Sequence, residues 1–163
     1  MRMNSDYLNS DYSSHYTLVK SAWGNTPKVI VVNEVFSKSK IDLVTPTQTY
    51  WDNRFGWFNA QFVLGICDIT STDGYLLDTI SKASLSSKKI DYATAYYTPY
   101  KNVYSNDTHR RYTMVHEIGH ALGLGHPNKQ YYQTNDASVM RQDTIETYYT
   151  PRQHDTDDLN NKY

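Results

Sequence analysis

One cysteine, five prolines and seven glycines in 163 residues leave this chain little covalent or backbone scaffolding. With Cys67 alone there is no intrachain disulfide, which excludes a small disulfide-built fold. No apolar run approaches the length of a membrane-spanning helix, so no membrane span is expected. No signal-peptide pattern follows Met1-Arg2-Met3, where polar residues begin at once. Neither charge sign is in excess: 16 Lys and Arg face 17 Asp and Glu, for a net −1. Without a basic stripe, nucleic acid is excluded as an expected partner. Repeats and linkers are missing too. The chain therefore reads as one domain, 1–163, large enough for a real core and expected to be monomeric.

Tyrosine is abundant, at 16 residues. Tyr7, Tyr12, Tyr50, Tyr131 and Tyr132 fall in polar stretches. That pattern suits an exported protein whose loops are held by aromatic contacts instead of disulfides. Cys67 sits in the apolar run Phe62–Ile69 and reads as a buried strand thiol.

The chain opens with a frayed start or short edge strand. Ser13 or Ser14 could cap a helix over His15–Gly24, with Tyr16, Val19, Ala22 and Trp23 as its apolar face. Lys28–Val35 is β-branched and reads as a central strand. Further strands are expected at Ile41–Tyr50, Gln61–Ile69 and Thr79–Ser87. Trp51–Asn59 reads as a structured loop, with Trp51 and Trp57 as its anchors, and Asp91–Tyr104 as a Tyr-rich connection with room for a short strand. A helix follows over Thr108–Leu122, N-capped by Asp107 or Ser105, and a last one over Pro151–Lys162.

Residues 116–126 read His-Glu-Ile-Gly-His-Ala-Leu-Gly-Leu-Gly-His, that is, HExxHxxGxxH. His116 and His120 lie four apart, on one helix face, where two neutral imidazoles can hold one zinc ion. Gly123 can take the left-handed conformation that ends a helix and turns the chain, returning His126 as third ligand. Three protein ligands leave a fourth position for water, the catalytic pattern. Glu117, one step around the helix, is placed to take a proton from that water. His15, His109 and His154 read as solvated or capping residues.

Ser138-Val139-Met140 follows this motif. Together they resemble the metzincin clan of zinc endopeptidases, in which a methionine after the long motif lies beneath the metal. Met140 matches that residue. HEIGHALGLGH and the ending Asp157-Asp158-Leu159 with Tyr163 look like matrixins, closest to the small matrixin-like peptidases of Gram-positive bacteria. The chain departs from related clans elsewhere. Pro127 follows the third histidine, as in serralysins, but their glycine-rich calcium repeats are missing. Gln142 stands where serralysins and astacins carry a tyrosine, which puts more of the oxyanion's stabilisation on the metal and Glu117.

The resemblance implies an α+β catalytic domain: a twisted mixed sheet with two long helices, an upper subdomain over about 1–123 and a small lower one over about 124–163. The lower part would hold the Met-turn and the final helix. It implies a secreted, extracellular zinc endopeptidase acting on protein or peptide substrates. The cleft would be bordered by an edge strand, for which Phe62–Asp68 is the candidate. Leu64-Gly65 there would let a substrate backbone approach, while Ile145, Tyr148 and Tyr149 would line an apolar pocket for the residue after the cut bond. Calcium has only Asp73-Gly74 in its favour, which is common turn chemistry, and is unsupported. Two other readings stay open: a catalytically inactive zinc-bearing protein-binding module, and a non-peptidase zinc amide hydrolase.

Overall fold

Along 66–70 and 92–97 buried residues alternate with more exposed ones, while along 3–4 and 41–43 successive residues are all buried; Met3, Ile41, Leu43, Ala93, Ala95, Tyr97, Cys67 and Ile69 are among the buried set. Strand pairing puts them on one face, because Met3 lies opposite Ile41, Ile41 opposite Ala93, and Ala93 opposite Ile69. A period of two with one buried face is what a sheet covered on that side requires.

The computed structural model describes residues 2–26, 32–33, 40–74, 76–77, 89–127, 137–142 and 145–163. Its strands are β1 (Arg2–Tyr7), β2 (Val32–Asn33), β3 (Ile41–Val44), β4 (Gly65–Ser71), β5 (Leu76–Leu77) and β6 (Ile90–Tyr97). Its helices are α1 (Ser10–Ser13), α2 (Tyr16–Gly24), α3 (Gln48–Phe55), α4 (Trp57–Ala60), α5 (Asp107–Ala121) and α6 (Gln153–Lys162). The fold is α+β, and its mixed sheet has the order β2-β1-β3-β6-β4-β5. β2, β1, β3 and β6 run parallel, while β4 is antiparallel to both β6 and β5.

Helices α2 and α5 cover the apolar face. Trp23 of α2 is fully buried and donates its indole N–H to Val115 O of α5 at 2.9 Å. Met114, Val115 and Ile118 of α5 are fully buried in the same cluster. Large apolar side chains so placed contribute roughly 1.5–3 kcal/mol each. Helix α5 begins where the Asn106 side chain accepts the His109 N–H at 3.0 Å. The cap is thus Asn106, not Asp107 or Ser105. Asp107 occupies the first turn instead, where a carboxylate suits the helix dipole.

Several expectations need correction. β1 is an interior strand, not an edge. Of Lys28–Val35, only Val32–Asn33 is described, and it stands at the outer end of the strand order; Thr79–Ser87 lies outside the described residues. Ile41–Tyr50 ends as a strand at Val44, because Thr47 caps α3 by accepting the Tyr50 N–H. Trp51–Asn59 is two short helices hinged at Gly56 (φ 75°), and of its tryptophans only Trp51 is an anchor, fully buried, while Trp57 is 66% exposed. The short strand for which Asp91–Tyr104 has room is the eight-residue β6, which starts at Ile90 and lies in the middle of the sheet. His15 is buried between α2 and α5, its ring meeting Arg111 and Asp107 at 3.2 and 3.4 Å. Among the described residues, no helix is long and apolar enough to cross a membrane.

Candidate metal centre and cleft

Helix α5 puts His116 and His120 one turn apart, both buried. The helix ends at Ala121, and Gly123 follows with φ 86°. That value is left-handed and costs any residue with a side chain. A Cβ on Gly123 would also stand 2.3 Å from Lys162 Cε of α6. The turn swings His126 back. The three Nε2 atoms then converge: His116 to His120 at 3.1 Å, His120 to His126 at 3.0 Å and His116 to His126 at 3.2 Å.

These contacts are not hydrogen bonds between the rings. His116 Nδ1–H donates to Val139 O at 2.8 Å, and His120 Nδ1–H donates to Leu124 O at 2.8 Å. Each neutral ring has one proton, so both Nε2 atoms present lone pairs. Burial lowers the pKa of all three rings, to about 4 for His116, so they are neutral near pH 7. Two facing lone pairs repel unless a cation lies between them. A tetrahedral zinc centre, with Zn–N of about 2.0–2.1 Å, sets neighbouring nitrogens about 3.3–3.4 Å apart, close to what is found. The donor set therefore fits a metal ion. His126 Nδ1 is buried and has no partner among the described residues.

Glu117 is 5% exposed and has no hydrogen-bond partner among the described residues. Burial alone pushes its carboxyl up to about 8. A bound dication would draw it down again, since opposite charge favours the ionised form.

Met140 is buried against α5. Its sulfur lies so near Gly119 that a Cβ there would stand 2.3 Å from Sδ. Gly119, between the two helical histidines, is a requirement that the sequence motif alone does not reveal. So is Asp155 of α6. It is 1% exposed, and its carboxylate accepts from Ser138 Oγ, from Val139 N at 3.0 Å and from Arg152 N at 2.8 Å. Ser138 Oγ in turn accepts from Met140 N at 2.9 Å. Asp155 thus fixes the turn whose Val139 carbonyl orients His116. The sequence signal was faint: a lone Asp three residues into a helix also reads as ordinary capping.

A cavity of about 620 Å³ opens beside the histidines, lined by Phe62–Cys67 and by Tyr112, Glu117, Gln142 and Ile145, among others. Leu64, Gly65 and Ile145 are thereby brought together at its wall. Tyr148 and Tyr149 are not. Tyr148 packs edge-on against Tyr112 at 6.4 Å beneath Arg152, and Tyr149 stacks beside Arg111. The aromatic residues at the wall are Phe62 and Tyr112 instead. β4 begins at Gly65, later than Gln61, and among the described residues β5 covers only its Ile69 and Thr70. Cys67 is buried in β4, its thiol pushed well up by burial. Asp73-Gly74 is an exposed turn after β4, with Gly74 at φ 81°. No family model matches the chain, and no curated protein matches it.

Proposed function

We propose that this chain is a zinc-dependent endopeptidase related to the metzincins, with His116, His120 and His126 holding the ion. One observation carries the reading: three histidine Nε2 atoms converge within 3.2 Å, and the buried Glu117 stands beside them at the wall of an open cleft. Zinc held there supplies Lewis acidity toward a carbonyl oxygen and a coordinated water of pKa about 7. Glu117 accepts the proton of the attacking water and delivers it to the departing amine. The apolar wall of Leu64, Tyr112 and Ile145 excludes solvent and grips a side chain of the substrate. Val139 and Leu124 carbonyls hold the ligand rings in the tautomer that points Nε2 inward. An all-imidazole set of three with a fourth position open is a donor set that catalytic zinc uses, which supports zinc here.

The test is cleavage of an unstructured protein such as casein, with metal content measured in parallel. Wild type should cut, a chelator should stop it, and zinc should restore it. Glu117→Gln should keep near-unit zinc and lose about 10²–10⁴ in turnover. A zinc-loaded wild type that binds casein without cutting it would leave a binding module. Turnover of small amides but not of casein would leave a non-peptidase hydrolase.

A further inference from the structure

The cleft wall opposite α5 carries an unusual residue at the point nearest Glu117. Gly65, the first residue of β4, lines the cavity. Its φ is not in the left-handed region, and no turn is made there, so backbone freedom does not explain the glycine. Space does. A Cβ built on Gly65 would stand 2.8 Å from Glu117 Cγ, 2.8 Å from Oε1 and 3.0 Å from Cδ. All three nearest atoms belong to that one side chain. Strand periodicity agrees, because Gly65 shares its face with Cys67 and Ile69, which are buried toward α5. The bare face therefore points at the carboxylate. It does not point out along the strand edge where an incoming backbone would lie.

We propose that Gly65 is a positioning residue for Glu117: the volume its missing side chain leaves is the volume in which the carboxylate stands, turned to the cleft beside the three histidines. Gly65 is held in place by the sheet and by the segment before α5. Its register partner is Tyr97, which is fully buried, and the preceding Leu64 carbonyl accepts the Tyr104 hydroxyl at 3.0 Å and the Thr98 N–H at 3.0 Å. With the strand so anchored, the backbone has little room to retreat. The strain of an added methyl falls on Glu117, which must leave its rotamer.

This inference rests on the proposed role of Glu117, so the test separates the two. Gly65→Ala, Glu117→Ala and the double variant Gly65→Ala/Glu117→Ala are compared for zinc content, thermal midpoint and casein cleavage. Gly65→Ala should keep its zinc. Its kcat should fall by about 10- to 100-fold with KM within about threefold, the size expected when a reacting group is displaced by about 1 Å. Its midpoint should fall by at least about 2 °C in the presence of Glu117 and not at all in the Glu117→Ala background, because the colliding side chain is then gone. If Gly65→Ala fails to fold, the double variant should fold. Equal loss of midpoint in both backgrounds, an unfolded double variant, or wild-type kcat in zinc-loaded Gly65→Ala would each overturn the assignment. Full activity in Glu117→Ala would instead overturn the role of Glu117, while the paired midpoints would still report the contact.

Discussion

Glu117 and the histidines are titrating groups placed where water is scarce, so protons should report on them before any substrate does. In metal-free protein, burial holds Glu117 up to about 8 against an ordinary 4.5, and His116 down to about 4 against 6.5. Between pH 6.5 and 8, the native state retains the Glu117 proton that the unfolded chain has lost, so Glu117 makes stability fall as pH rises. Between pH 6.5 and 4, the unfolded chain protonates histidines that the native state keeps neutral, so they make stability fall as pH falls. Melting curves of metal-free protein should show the first decline in wild type and not in Glu117→Gln, with the second present in both. Identical profiles above pH 6.5 would mean that Glu117 is ionised in the native state. Gly119 offers a steric counterpart. Its Cβ would meet Met140 Sδ at 2.3 Å and Trp23 Cζ2 at 3.0 Å, so Gly119→Ala should cost about 1–3 kcal/mol. Met140→Leu, which roughly conserves volume, should cost under about 1.5 kcal/mol in urea unfolding and keep the metal.

At the scale of elements, α6 acts on the metal centre without touching it. Asp155→Ala would strand two backbone N–H groups and a buried hydroxyl, at about 1–3 kcal/mol for each buried group left unpaired. It should also loosen Val139 and speed zinc loss to a chelator roughly tenfold, the size of effect seen when an outer partner of a metal ligand is removed. Unchanged chelation kinetics would show that His116 is oriented by other means. Much of α5 and α2 was legible in the sequence, because Val115, Ile118, Val19 and Trp23 recur at helical spacing and the histidine pattern admits few geometries. The sheet was less legible. β6 turns Ala93, Ala95 and Tyr97 inward and Tyr92, Thr94 and Tyr96 outward, so small residues face the core and large aromatics face away as well. Periodicity then carries little signal. Trp51 hid a helix because a buried tryptophan anchors a loop equally well. Gly65 was read as room for a substrate because strand spacing alone does not say which neighbour faces the gap. The Ile145–Tyr149 stretch was assigned to the pocket by chain order, which places Ile145 at the wall and leaves the tyrosines behind it.

Across the whole molecule, tyrosines do the fastening that disulfides do elsewhere. Tyr12 stacks on Tyr97 at 5.2 Å, meets Tyr104 edge-on at 6.3 Å and donates to Thr98 O at 2.7 Å. Tyr104 reaches Leu64 and Tyr163 reaches Leu122, so hydroxyls tie both walls of the cleft to distant chain segments. The proposed metal ligands are different in kind. His116, His120 and His126 fall within one helix and the turn after it, whereas Glu117 owes its surroundings to Gly65, on a strand far back along the chain. The first set has low contact order and can assemble early and persist late; the second needs the complete sheet. A partly unfolded chain that keeps α5 and its turn can thus retain the ion after the cleft has come apart. Because such states also bind metal, zinc should stabilise the fold less than its affinity alone would give. In rising urea, cleavage should vanish before zinc is released to a chromogenic chelator. On the proposed reading, possession of the ion and competence to use it are separable, and a zinc-loaded sample would be no guarantee of a working one.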